Sequence, residues 1–455
     1  MYKRILLIVI AVSISVAILM SFTGCSLQNN KLETTIAPTE TELNKQTLYI
    51  SQCFDFYELE RSIEEFKLLH PNTEIILNKY DGDVDRYTQQ VTTMLMAGNA
   101  DDVLDATGIN NSSPAAKVYF TDIFPLMQKD PSFAEEDYYM SVFDGMAVNG
   151  KLTAFPIFFN YSLVGLNNTI IGSGARELAE YYKSLDRITY SELLDLYHNL
   201  NNNFGRYVYK DIDAITVINA SINDFVDYEN NVCDLNNERF IHLINNAKSA
   251  TLPQRIAYGE LGLLHGKYMS ITNQEEAALQ YLFDDVLASD YQAFFPMQDG
   301  ELFAHYIPTT SENGKLMLIP TKRFCISEAS ENKELAWEFI KYLTTPEANE
   351  NNIIPSFPVH RPLFKEYIEK EITLAVDYWR NEGYNVDGET TDIVAHVLAV
   401  YNKFNEMPMH YHEGIISVGE TVREVLTQFH NDLLSAEQAA LELQNKISLH
   451  LMEVG

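Results

Sequence analysis

Cysteine is scarce in this sequence: four occur among 455 residues, too few for the disulfide framework that staples small secreted domains. Cys53, Cys233 and Cys325 are far apart in the chain and read as buried single thiols; whether two of them bridge depends on a separation in space that sequence spacing does not give. Positive charge is scarce too. The 32 lysines and arginines face 64 aspartates and glutamates, a formal net charge of -32. Such a surface repels a phosphate backbone, which argues against nucleic acid as a partner. Motifs of catalysis are missing as well, for there is no nucleophile elbow, zincin helix or phosphate loop. Gly314-Lys315 lacks the earlier glycine and following hydroxyl of a phosphate loop. Ser330 and Lys333 have the spacing of acylating penicillin-binding enzymes without the partner motifs, and Ser330 stands where a helix cap is expected. An enzyme is therefore not expected. With 46% hydrophobic and 21% charged residues, neither a disordered tail nor a multi-span membrane protein fits. The length suits two large lobes or a domain with accessories.

What is present begins with the N-terminus. Lys3 and Arg4 precede an apolar run from Ile5 to Met20, followed by Ser21-Phe22-Thr23-Gly24-Cys25. Basic residues, an apolar stretch shorter than the ~20 residues of a spanning helix, and a small residue before a cysteine make a secretory signal. The order resembles the lipobox of bacterial lipoproteins, in which the cysteine is acylated and becomes the new N-terminus; Phe22 stands where an aliphatic residue is usual. The resemblance implies a signal peptide over 1–25, lipid on Cys25, and a chain anchored on the extracytoplasmic face of the cell membrane. An uncleaved signal anchor is the other reading, and it exports the remainder equally. Residues 26–46, rich in Asn, Thr, Glu and Lys, read as a flexible tether, with a reach on the order of 25 Å.

Periodicity then predicts a β-α-β-α-β order. Thr47–Cys53 reads as a strand, and Asp55 with Glu58 has capping-box spacing before a helix whose Leu59, Ile63, Phe66 and Leu69 share a face. His70-Pro71-Asn72 breaks it. Glu74–Leu77 is a second strand, and Val84, Tyr87, Val91 and Leu95 form the buried stripe of a helix stopped by Gly98. Val103–Ala106 is a third strand, so the order favours a mainly parallel sheet. Further on, Lys151–Phe158 reads as an extended crossing, Thr189 and Glu192 open a helix, and Met317–Ile326 is extended again. Leu335, Ala336, Phe339, Ile340 and Leu343 line a helix that Pro346 ends. Ser435 and Gln438 open a last helix with Ala439, Leu443, Ile447 and Leu451 on one face.

Two stretches hold metal-ligand side chains. Asp81-Gly82-Asp83-Val84-Asp85 begins like a calcium loop, but Arg86 and Thr92 stand where glycine and glutamate belong, so a solvated turn before a helix is expected. His410-Tyr411-His412-Glu413 falls short of a full ligand set. No metal and no other cofactor is expected.

Several stretches, in one order, resemble the family 1 extracellular solute-binding proteins, the group that contains maltose-binding protein. Glu64-Glu65-Phe66-Lys67 through Pro71-Asn72-Thr73-Glu74-Ile75 is similar to the family's first helix and second strand. Tyr87-Thr88-Gln89-Gln90-Val91 through Gly98-Asn99-Ala100-Asp101-Asp102-Val103 resembles its next helix, glycine turn and strand, with Asp101 where the family usually has proline. Gly150-Lys151-Leu152-Thr153-Ala154-Phe155-Pro156 resembles the first interlobe crossing. Asn332 to Ile340, with Thr345-Pro346-Glu347-Ala348, resembles the helix after the second crossing, and Ser435 to Ala440 the last helix. The resemblance implies an α/β, two-lobed periplasmic-binding-protein-like (type II) fold with a ligand cleft between the lobes. Lobe 1 would hold 47–156 and 321–359, and lobe 2 would hold 157–320 and 360–455.

It also implies a monomeric substrate-binding lipoprotein of an ABC importer. Such a protein captures a small polar solute, a mono- or oligosaccharide in first place, by cleft closure and delivers it to the transmembrane permease subunits. A glycan-active secreted enzyme, with two cleft carboxylates about 5–10 Å apart, or a lipoprotein that reports its ligand to a membrane receptor, are the alternatives.

Ligands of open α/β sheets gather at the C-terminal ends of the strands, where loops present unpaired donors. That makes candidates of Phe54 and Asp55 after the first strand and of Asp105, Thr107 and Gly108 after the third, Asp55 being equally a helix cap. Phe158, Phe159, Asn160 and Tyr161 follow the first crossing, where the resemblance puts cleft residues; the other reading makes them strand core. Asp299, beside Gly300, is a cleft carboxylate or part of a turn. The chain has 27 Tyr and 24 Phe but two Trp, and flat rings with polar tips suit the apolar faces and hydroxyl edges of a sugar. Trp337, on an apolar helix stripe, reads as structural.

Overall fold

The alternation read from the first hundred residues is present in the computed structural model. It describes residues 45–454 except 55–58, 110–115, 168–180, 182–183, 196–217, 219–220, 228–229, 251–278, 283–303, 351–355, 382, 384–385 and 412–413. Its strands are β1 (Gln46–Gln52), β2 (Thr73–Lys79), β3 (Val103–Asp105), β4 (Phe155–Asn160), β5 (Leu163–Asn167), β6 (Ile188–Thr189), β7 (Val226–Asp227), β8 (Val232–Cys233), β9 (Leu279–Leu282), β10 (Ala304–Thr310), β11 (Leu316–Met317), β12 (Ile319–Ile326), β13 (Phe357–Pro358) and β14 (Met409–His410).

β1 pairs in parallel with β2 on one side and β3 on the other. The helices Leu59–Leu69 and Val84–Ala97 make the crossovers, burying Leu59, Ile63 and Phe66, and Tyr87, Val91 and Leu95. Leu69, expected on the buried stripe, is exposed at the last residue of its helix. Asp81–Asp85 is the turn that was expected: the Asp83 side chain caps the second helix by accepting from the Arg86 N–H. Gly98 ends that helix at φ 70, its N–H donating to Leu95 O.

Two sheets follow, in orders β13-β4-β12-β3-β1-β2 and β14-β11-β10-β5-β9, with β6 also on β10. β12 runs antiparallel to both β3 and β4, so β1, β3 and β4 end at one common edge. The chain leaves the first sheet at Tyr161-Ser162, returns at Leu318 between β11 and β12, and enters the second sheet again at β14. Two cores form, the first mainly at the first sheet but joined by Leu163, Leu316 and Met409 from strands of the second. The first holds Leu48, Ile50, Phe155, Phe159 and Phe324, and the second Ile307, Phe240, Leu243, Val422, Val425, Ala439, Leu443 and Ile447.

The expected division of the chain differs from these cores at its lobe 2 boundaries, where Ile157, Phe159, Tyr161, Leu316 and Leu318 pack into the first core, and in one longer segment. Residues 360–455 were assigned together, yet Ile368, Ile372 and Val376 of the helix Arg361–Asn381, and Val397, Tyr401 and Phe404 of the helix Thr390–Asn405, pack into the first core. Only the helices Gly414–His430 and Ala436–Val454 join the second. An apolar stripe shows that a helix is buried, not against which sheet.

Two capping boxes form as read. Thr189 N–H donates to Glu192 Oε2 at 2.8 Å while Glu192 N–H donates to Thr189 Oγ1 at 3.2 Å. Ser435 and Gln438 do the same at 2.8 and 3.2 Å. Two local readings change. Pro346 does not end the helix Lys333–Tyr342 but opens the short turn Pro346–Asn349 after its Thr345 cap. Ser330 does not cap that longer helix either; its hydroxyl accepts from the Asn332 N–H and donates to Asp102. Trp337 is structural, buried edge-on against Phe155 with its indole N–H donating to Asp130 at 2.9 Å. Cys53, Cys233 and Cys325 are all free thiols. Among the described residues, no helix is long and apolar enough to cross a membrane.

Candidate functional site

The edge where β1, β3 and β4 end and β12 begins is where the sequence placed most candidate contacts. Register builds it. Ser51 pairs with Leu104 and Phe324 with Asp105, so Gln52 and Asp105 sit level at the sheet's end, with Lys322 reaching in from β12, which shifts register between Pro320, Lys322 and Arg323.

Asp105 is 0% exposed and fully occupied. Its Oδ2 accepts from Lys322 Nζ at 2.8 Å and from the Cys53 N–H at 3.1 Å. Its Oδ1 accepts from the Thr107 N–H at 3.1 Å and the Thr107 hydroxyl at 2.7 Å. Burial opposes its ionisation, but the Lys322 charge and the hydrogen bonds from Lys322 and Thr107 outweigh burial and hold the carboxyl below the usual carboxylate range. Burial first, and then the Asp105 carboxylate, push the Cys53 thiol up to about 11, so it stays protonated and inert at neutral pH. The expected role of Asp105 as a ligand acceptor is thus corrected. Two oxygens hold about four acceptor positions, and all are filled, so Asp105 ties the ends of β1, β3 and β12 together.

Phe158, Phe159, Asn160 and Tyr161 are likewise core rather than cleft surface. All four are buried. Asn160 donates to Ser356 Oγ at 3.1 Å, and Tyr161 stacks on Phe357 at 5.1 Å while donating to Asn405 Oδ1 at 2.8 Å. β4 has β12 and β13 as neighbours and every one of its residues is buried. A strand covered on both faces reads as a continuous apolar run, and that same run made it look like an aromatic cluster in the sequence.

What remains open at the edge is Phe54, 45% exposed, with Thr107 half-buried and Gly108 exposed. The Phe54 ring lies over Gly82, 3.2 Å from where a Cβ would stand. Gly108 has φ +73, and a Cβ there would meet Val84 Cγ1 at 2.4 Å and Thr88 Oγ1 at 2.6 Å. Gly108→Ala is therefore expected to cost about 1–3 kcal/mol in chemical denaturation, from left-handed strain and collision. A wild-type midpoint would mean the loop relaxes freely.

Three side chains here escaped the sequence reading. Lys322 and Arg323 lie in the middle of β12, where two adjacent cations in so acidic a chain were the available signal. Arg323 donates to Ala106 O at 3.3 Å and lies 5.2 Å from the Tyr411 ring centroid. Tyr411 fell inside the histidine stretch; among the described residues, which include neither His412 nor Glu413, no group of three or more metal-ligand side chains exists. His410 is held neutral, its pKa lowered to about 4 by burial and then by Lys315. His412, Glu413, Asp55, Asp299 and Cys25 lie outside the described residues.

Solved structures similar to this chain span nearly all of it. One described as an extracellular solute-binding protein family 1 from Alicyclobacillus acidocaldarius has a TM-score of 0.57 at 11% identity, covering 89% of this chain and 98% of its own. The sugar-binding protein MalE from Xanthomonas citri scores 0.59 at 13% identity, with 90% and 98% covered. A periplasmic oligogalacturonide-binding protein from Yersinia enterocolitica scores 0.57 at 14% identity, with 90% and 99% covered. No family model and no curated protein matches the chain. At such identities the likeness establishes the fold, the two-lobed α/β fold of solute-binding proteins, as the sequence led one to expect.

Proposed function

We propose that this chain is the substrate-binding lipoprotein of an ABC importer, which captures a mono- or oligosaccharide between its lobes and hands it to a membrane permease. The observation that carries this reading is the pair of separately cored α/β halves joined by chain crossings, a fold shared with proteins named as sugar binders. A ligand touching both halves favours the closed arrangement by its differential affinity alone, which lets a permease tell loaded from empty protein. The first half contributes the exposed ring of Phe54 and the chain around Thr107 and Gly108. The matched charges of Lys322 and Asp105 suit an uncharged ligand. Lipid on Cys25 and the 26–46 tether would keep the protein at the membrane.

Thermal shift of the purified chain against glucose, galactose, maltose, maltotriose, cellobiose, peptides and polyamines tests the ligand class. A sugar with a micromolar Kd, about -8 kcal/mol, should stabilise the chain by about 2.7 kcal/mol at a hundredfold excess over Kd and reduce the radius of gyration. Stabilisation by peptides or polyamines alone would overturn the carbohydrate reading. In cells, Cys25→Ser should abolish fatty-acid labelling and membrane retention; unchanged labelling would remove the lipoprotein assignment.

A further inference from the structure

Buried polar atoms are normally paired, so an orphan in a folded chain marks a place where something else supplies the bond. Gln52 is such a place. It is the last residue of β1, is 3% exposed, and its side-chain Oε1 has no hydrogen-bond partner. The main chain there is engaged, the Gln52 carbonyl accepting from the Tyr80 N–H at 2.9 Å. The side chain is therefore held in position at the strand end without a bond of its own to justify its burial.

Its neighbours narrow what the missing partner is. One step beyond the Ser51–Leu104 pair, Gln52 stands level with Asp105, whose acceptor positions are taken by Lys322, Cys53 and Thr107. Lys322 and Asp105 cancel each other's charge at 2.8 Å. The surroundings are buried, polar and neutral, with one carboxamide unspent. A carboxamide has an acceptor oxygen and a donor nitrogen, and a hydroxyl can serve either. An ammonium or a carboxylate serves only one end and brings a charge with nothing left to pair it.

We infer that Gln52 is a specificity-determining ligand contact, its carboxamide hydrogen-bonding a hydroxyl of an uncharged ligand at the edge shared by β1 and β3. The assignment rests on the sugar-binding reading above and adds to it the residue that discriminates a hydroxylated neutral ligand from a charged one. A side chain kept for a ligand leaves the empty protein less stable than it could be, because its orphaned acceptor is desolvated without return. A purely structural glutamine would behave in the opposite way.

Gln52→Leu and Gln52→Met, close to glutamine in volume, separate the two. Each is expected to melt at or above the wild-type temperature when empty. In calorimetry each should bind the sugar that stabilises wild type most, among glucose, galactose, maltose, maltotriose and cellobiose, about tenfold more weakly. Wild-type affinity in both variants would overturn the assignment and leave the sugar-binding reading standing. A lower melting temperature in both with affinity unchanged would make Gln52 a structural side chain. A wild type that none of these sugars stabilises would overturn both readings together.

Discussion

Lys322→Met is expected to destabilise the chain by about 3–5 kcal/mol at neutral pH, because it strands the Asp105 carboxylate without its counter-charge. Lys322 Nζ lies 2.8 Å from Asp105 Oδ2, and the two side chains are 9% and 0% exposed. The pH dependence gives the loss a signature. In the wild type the folded pKa of Asp105 is depressed, so the stability it lends is fully present above its unfolded value, near ~3.9, and is lost as pH falls through the folded value. In the variant the Lys322 charge and hydrogen bond are gone and only the Thr107 and Cys53 bonds oppose burial, so the folded pKa rises above its wild-type value. Its penalty should then be largest at neutral pH and shrink on acidification as Asp105 takes a proton. Urea denaturation at pH 7 and pH 4.5 reads both arms, and an equal loss at the two values would sink the argument. The double variant Asp105→Asn, Lys322→Met should recover part of the loss, since no charge is then left unpaired.

Tyr161→Ala is expected to cost about 3–5 kcal/mol, as other large aromatic truncations in cores do. The ring is 0% exposed and stacks on Phe357 at 5.1 Å, and burial raises its phenol well above the usual range, so it remains a neutral donor to Asn405. Tyr161→Phe removes only that hydrogen bond and should cost about 1–3 kcal/mol, from leaving the Asn405 acceptor unpaired. Since the ring belongs to the core, sugar affinity per folded molecule should be unchanged in Tyr161→Phe. A tenfold loss of affinity at wild-type stability would put the ring back in the cleft.

These two residues show where reading the sequence succeeded and where it stopped. The β-α-β-α-β opening, the capping boxes at Thr189 and Ser435 and the turn at Asp81–Asp85 were legible, because each depends on residues close to one another in the chain. Asp105 and Tyr161 were correctly set at strand ends, but their surroundings come from far along the chain. Lys322, which occupies Asp105, and Asn405, which receives Tyr161, are 217 and 244 residues away. Gln52 gave no signal at all: a glutamine at a strand end is ordinary until its neighbours are seen to be fully engaged.

Local pattern therefore determined the opening elements, their order and the strand ends at which ligand contacts were sought, while the family resemblance implied the two-lobed α/β class. The tertiary structure decided which core each helix joins, as the stripe of Arg361–Asn381 shows by packing with the first sheet rather than the second. It also decided which polar groups at the strand ends are already spent. The physical reason is the same in both cases. Periodicity and caps are short-range properties of one segment, whereas burial, pairing and the number of acceptors left unfilled belong to segments that meet only when the chain has folded.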